Sequence, residues 1–136
     1  MKVILDTNVF VSGIFWSGPP HARLTAWRHK KIQLVISPEI FQEYKRVALD
    51  LSTRYPGGDL SDVMALLAAE TIASVSPTLP QPVCSDTDDD KFLACALANN
   101  ISHIVTGDKA LLKLQGYQGL IILKPNSFFK QHLKSF

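Results

Sequence analysis

Short runs of branched apolar residues recur along the chain: Val3-Ile4-Leu5, Leu34-Val35-Ile36, Ile104-Val105-Thr106 and Leu120-Ile121-Ile122-Leu123, with Ile72 to Val75 as a weaker fifth. They are continuous rather than alternating, the pattern of parallel strands covered on both faces. Helical stretches lie between them. One spans 38–54, with Ser37 as N-cap and Pro38 in the first helical position. Others are predicted over 59–70 and 88–99, and shorter ones after Pro20, Asp108 and Pro125. Strands alternating with helices predict βαβ crossovers and a three-layer α/β/α sandwich around a central parallel sheet of four to five strands. Two breaker clusters, Tyr55-Pro56-Gly57-Gly58 and the stretch 76–82 with its three prolines, read as loops. Neither separates segments long enough to be domains, so residues 1–136 are expected to form one.

Composition agrees. Of 136 residues, 46% are hydrophobic, enough for a core without metal or disulfide staples and against intrinsic disorder. The net charge of +2 permits nucleic-acid contact without demanding it. Cys84 and Cys95 have no CxxC spacing and read as reduced, partly buried thiols. The opening apolar run is too short for a signal peptide, and no run reaches the roughly 20 apolar residues that span a bilayer. A soluble, cytoplasmic protein with no membrane partner is expected.

Ligands of an open parallel sheet bind beyond the carboxyl ends of its strands, so the side chains found there carry the chemistry. After the first strand come Asp6-Thr7-Asn8, and after the fourth Thr106-Gly107-Asp108. The second feeds a helix carrying Glu39 and Glu43, and the helix before the fourth strand opens with Asp86, Asp88, Asp89 and Asp90. Each acid alone has an ordinary structural reading. Asp6 and Asp108 can cap helices, Glu39 and part of the Asp86–Asp90 run can complement helix dipoles, and Glu43 can be a solvated surface residue. Carboxylates from four separate segments, in a chain of net positive charge, together point to a hard divalent cation such as Mg²⁺ or Mn²⁺. The four histidines are scattered and offer no nucleophilic arrangement. The basic cluster Arg23, Arg28, His29, Lys30 and Lys31 around Trp27 reads either as a helix C-terminus with compensating cations or as a phosphate-contacting surface.

The chain resembles PIN-domain proteins, in particular the ribonuclease toxins of bacterial toxin–antitoxin pairs. The resemblance covers essentially its whole length. It rests on Val-Ile-Leu-Asp6-Thr7-Asn8-Val-Phe, Ser37-Pro38-Glu-Ile-Phe-Gln-Glu43-Tyr, Asp88-Asp89-Asp90-Lys-Phe-Leu-Ala-Cys-Ala, His103-Ile-Val-Thr106-Gly107-Asp108 and Leu123-Lys-Pro-Asn-Ser-Phe-Phe, in that order. It implies an Mg²⁺- or Mn²⁺-dependent endoribonuclease with Asp6, Glu43, Asp108 and an acid of the 88–90 run on the metal. Spacing from Thr106 favours Asp90 for that acid, with Asp89 as contender. Asn8 and Thr106 match supporting positions, and Asp6, at a rigid strand end, is the expected bridging ligand. The resemblance also implies an RNA substrate, a cognate antitoxin and often a homodimer. Phe15, Trp16 and Trp27 are numerous apolar residues for one short region and are expected to serve such a surface. Two rival readings stay open. One is a receiver-like phosphorylatable domain, for which Ser74-Val75-Ser76 offers no acceptor Asp. The other is an inactive metal- or RNA-binding scaffold.

Overall fold

The computed structural model describes residues 1–15, 32–54, 72–73, 79–84 and 87–132. Five parallel strands form one sheet in the order β3-β2-β1-β4-β5: β1 (Lys2–Leu5), β2 (Gln33–Ile36), β3 (Ile72–Ala73), β4 (His103–Val105) and β5 (Ile121–Leu123). Val3, Ile4 and Leu5 point alternately to opposite faces yet all are buried, as are Leu34, Val35 and Ile36. Both faces of the sheet are therefore covered, and the helices flank it in the predicted α/β sandwich. The predicted helix over 59–70, the basic cluster at 23–31, Trp16, Asp86 and Ser74 to Ser76 lie outside the described residues.

Local chemistry sets the helix ends. Helix α1 (Thr7–Phe15) starts where the Asp6 carbonyl accepts from Phe10 N at 3.1 Å. Helix α2 (Pro38–Arg54) follows the predicted cap: buried Ser37 Oγ accepts from Ile40 N at 3.3 Å, and Pro38 needs no acceptor of its own. The predicted helix over 88–99 is a 3₁₀ turn (Thr87–Asp89) followed by α3 (Asp90–Ala98). Its far end is a Schellman closure. Asn100 adopts φ 54°, Ile101 N reaches Ala96 O at 2.9 Å and Asn100 N reaches Leu97 O at 3.5 Å. Asn tolerates this left-handed turn better than most residues with a side chain, and Ile101 behind it is buried. Helices α4 (Lys109–Leu112) and α5 (Pro125–His132) complete the described chain.

Helix α2 packs on α1 and α3, and α3 lies against β1 and β4. Tyr44 ties these layers together. Its ring stacks on Phe10 at 4.3 Å, and its hydroxyl donates to the carbonyl of Leu5, the last residue of β1. The chain winds outward from β1 through β2 to β3, then restarts on β1's other side with β4 and β5. That reversal puts a crevice between the carboxyl ends of β1 and β4, where open α/β sheets bind ligands.

Candidate metal centre

Asp6 follows β1 directly at this crevice. It is only 6% exposed, which is rare for a carboxylate. Its Oδ2 accepts from Thr106 Oγ1 at 2.6 Å, and the same hydroxyl accepts from Asp108 N at 3.0 Å. Thr106, fully buried just beyond β4, therefore fixes the Asp6 side chain and the backbone that presents Asp108. Asp108 is also the N-cap of α4, taking Leu111 N at 3.2 Å on Oδ2. Capping was the ordinary structural reading of this residue, and it coexists with a position beside Asp6.

Glu43 reaches the same place from α2. Its Oε2 accepts from the Thr7 hydroxyl, next to Asp6, and its Oε1 is 2.5 Å from Lys91 Nζ. Glu39, one turn earlier, is exposed in the first turn of α2, where a negative charge complements the dipole. Asn8 is exposed on the first turn of α1, and the hydroxyl that reaches the acids from this turn is Thr7's.

Electrostatics record the convergence of three acids. Burial raises the Asp6 pKa above its ordinary value of 3.8, and the negative charges of Asp108 and Glu43 push the same way. Hydrogen bonds from Thr106 and from the Thr7 backbone counter part of this. Carboxylates from the ends of β1 and β4 and from α2 thus feel one another across the crevice.

The acidic run before α3 divides its labour. Asp90 faces back toward the preceding loop: its Oδ1 accepts from Cys84 N at 2.8 Å, and both oxygens are 3.3 Å from Val83 N. Burial opposes its charge, but the hydrogen bonds from Cys84 and Val83 prevail and hold its pKa below the ordinary value. Asp89 is half-buried in the N-cap position of α3 without making a side-chain cap there. Asp88 is exposed and lies 3.1 Å from Lys91 Nζ. Cys84, whose N–H meets Asp90, lies close enough to these acids to feel their charge. Its thiol is pushed up to about 12, first by burial, then by Asp90, with Asp89 and Asp108 adding to it.

The donors fit a divalent ion in kind. All are hard carboxylate oxygens, and the Asp6 carboxylate is buried among like charges that a cation would relieve. Among the described residues, no three acidic, His or Cys side chains are drawn together tightly enough to chelate an ion. Each carboxylate instead has partners within the chain: Lys91 and Thr7 for Glu43, Leu111 N for Asp108, and Thr106 for Asp6.

Residues 2–110 match the PIN-domain family. This chain belongs to it. An uncharacterized protein of the archaeon Methanocaldococcus jannaschii is 34% identical over 118 residues, covering 85% of this chain and 76% of that protein. PIN domains are in general nucleases that use divalent metals, and this membership leaves the receiver-like reading without support. Among the described residues, no helix of this PIN domain is long and apolar enough to cross a membrane.

Thr7, Tyr44 and Lys91 are parts of the site that the sequence does not mark. Thr7 and Lys91 each sit beside a predicted acid, which was the one available signal. Their partner Glu43 lies 36 and 48 residues away.

Proposed function

We propose that this PIN domain is an Mg²⁺- or Mn²⁺-dependent endoribonuclease, with Asp6, Glu43 and Asp108 on the metal and a further carboxylate from the 89–90 pair. Asp89 is favoured for that position, because both Asp90 oxygens are committed to the backbone of Val83 and Cys84. The observation that carries the proposal is the buried Asp6 carboxylate at the strand-order reversal, crowded by Asp108 and Glu43. Such a negative pocket, only partly compensated, costs folding stability and fits a protein whose working state includes a cation.

When bound, the ion supplies an activated water and charge relief for the phosphate. The chain's own residues do the positioning. Thr106 holds the Asp6 carboxylate in one orientation and ties the Asp108 backbone to it. Tyr44 anchors the last carbonyl of β1, so the strand end cannot drift from α2. Thr7 holds one oxygen of Glu43, and Lys91 lies against the other. Rigid presentation of Asp6 and of the Asp108 backbone lets these two ligands act without reorganising during the reaction.

The resemblance to ribonuclease toxins supports a cytoplasmic toxin acting as one domain over residues 1–136, with a cognate antitoxin and a second copy of the chain as partners. A short neighbouring reading frame for a DNA-binding antitoxin is the observation that tests this role. The enzymatic claim is tested with end-labelled single-stranded RNA. Cleavage is expected with Mg²⁺ or Mn²⁺ and is abolished by chelator, and Ca²⁺ supports little turnover because it is a weaker Lewis acid with looser geometry. Cleavage undiminished in excess chelator overturns the mechanism. RNA binding without cleavage in any metal shows the inactive scaffold instead.

A further inference from the structure

We propose that Lys91 is a tethered counter-ion: its ammonium occupies the cation position on Glu43 in the metal-free protein and yields it when a divalent ion binds. The inference rests on the metal-centre reading above and adds to it a residue outside the acidic set.

Three observations converge on Lys91. It lies in the first turn of α3, immediately after Asp90, where the helix dipole disfavours a positive charge. A lysine there needs compensation, and it has two carboxylates, Glu43 at 2.5 Å and Asp88 at 3.1 Å. The Lys91 and Glu43 side chains are each only 14% exposed, so this pair is screened less than an ordinary surface ion pair. The two carboxylates also differ. Glu43 faces the crevice and touches Thr7 beside Asp6, whereas the Asp88 side chain is 68% exposed.

The charges explain what the arrangement does. Asp6, Glu43 and Asp108 carry three negative charges when ionised, and Lys91 supplies one positive charge at their edge. A divalent ion offers two, placed among the oxygens themselves. A lysine has a flexible four-carbon stem and three donors, so it can release Glu43 and keep Asp88, leaving a positive charge at the rim where an RNA phosphate approaches. The ion pair thereby limits repulsion among these carboxylates before an ion binds and competes with the metal for the same oxygen.

The test compares the wild type with Lys91→Met, Lys91→Gln and Lys91→Arg without RNA, reading Mn²⁺ affinity by calorimetry and the melting temperature with and without Mn²⁺. A tethered cation predicts that Lys91→Met and Lys91→Gln melt lower than the wild type when metal-free and bind Mn²⁺ roughly three- to tenfold more tightly, the scale of a competing, partly shielded ion pair. Added Mn²⁺ restores most of their lost melting temperature, and Lys91→Arg behaves as the wild type. A strut joining α2 to α3 predicts something else: Lys91→Gln, which keeps a donor, stays near the wild type, and the melting deficit of Lys91→Met persists with Mn²⁺. Unchanged or weaker Mn²⁺ affinity in both neutral variants overturns the inference alone. A wild type that binds no Mn²⁺ takes the metal centre down with it, and the two failures are distinguished by that control.

Discussion

Asp6 and Asp90 show how one residue type serves opposite ends. Asp90 opens α3 and is answered by backbone N–H groups of Val83 and Cys84, so its charge is welcome and its pKa falls. Asp6 closes β1, is buried among Asp108 and Glu43, and its pKa rises. The first carboxylate stabilises the fold by fastening a loop. The second is held in place by Thr106 at a position where its charge opposes folding. A site that keeps such a charge with only partial compensation, from Thr106 and the Thr7 backbone, fits the proposed metal site, whereas the fully answered charge of Asp90 fits a structural role.

The largest effect expected from breaking the contrast is catalytic. Asp6→Asn and Asp108→Asn should each lower RNA cleavage by roughly 10²-fold or more, the scale of losing a group that stabilises transition-state charge. RNA affinity, read by filter binding, should change far less, since phosphate contacts come from basic side chains. Asp90→Ala should keep much more activity but lose about 1–3 kcal/mol of stability in urea titrations, because two backbone N–H groups lose a charged acceptor. If Asp90→Ala instead kept its stability and lost activity like Asp6→Asn, Asp90 would be a ligand and the division of labour would be wrong.

The smallest effect carries the sign that matters most. With its pKa raised, Asp6 takes up a proton more readily in the folded chain than in the unfolded one. Its ionised form therefore opposes folding at neutral pH, and the opposition fades as pH falls through the raised value toward 3.8. In chelator, Asp6→Asn should be at least as stable as the wild type at pH 7, with the difference shrinking toward pH 4. Asp90 behaves oppositely: the stability it contributes is lost as pH falls from its ordinary value through its depressed one. A wild type that is clearly more stable than Asp6→Asn at pH 7 without metal would make Asp6 a structural cap.

Much of this was legible in the chain. Continuous apolar runs announced strands buried on both faces, and Ser37-Pro38 announced the start of α2 through a cap that is present at the expected atoms. The strand-end rule pointed to Asp6 and Asp108 because it needs only strand positions and topology. Partners across long separations stayed out of reach. Thr106 was placed as a support, but its bond to Asp6 spans 100 residues, and nothing local says which acid its hydroxyl meets. The choice between Asp89 and Asp90 depends on a proline-rich loop folding back onto α3, which repulsion counted along the sequence does not capture. Lys91 was hidden for a related reason: beside three aspartates it reads as their local counter-charge, whereas its shorter contact is to Glu43 on another helix.

The central claim is that the crevice between β1 and β4 holds a divalent ion on carboxylates from separate segments. Anomalous scattering from a crystal equilibrated with Mn²⁺ tests it most directly. The expected result is a manganese peak bound by oxygens of Asp6 and Asp108, with Glu43 turned toward it and its contact to Lys91 lengthened. Manganese bound elsewhere, or no peak at this crevice while Glu43 stays on Lys91, would contradict it.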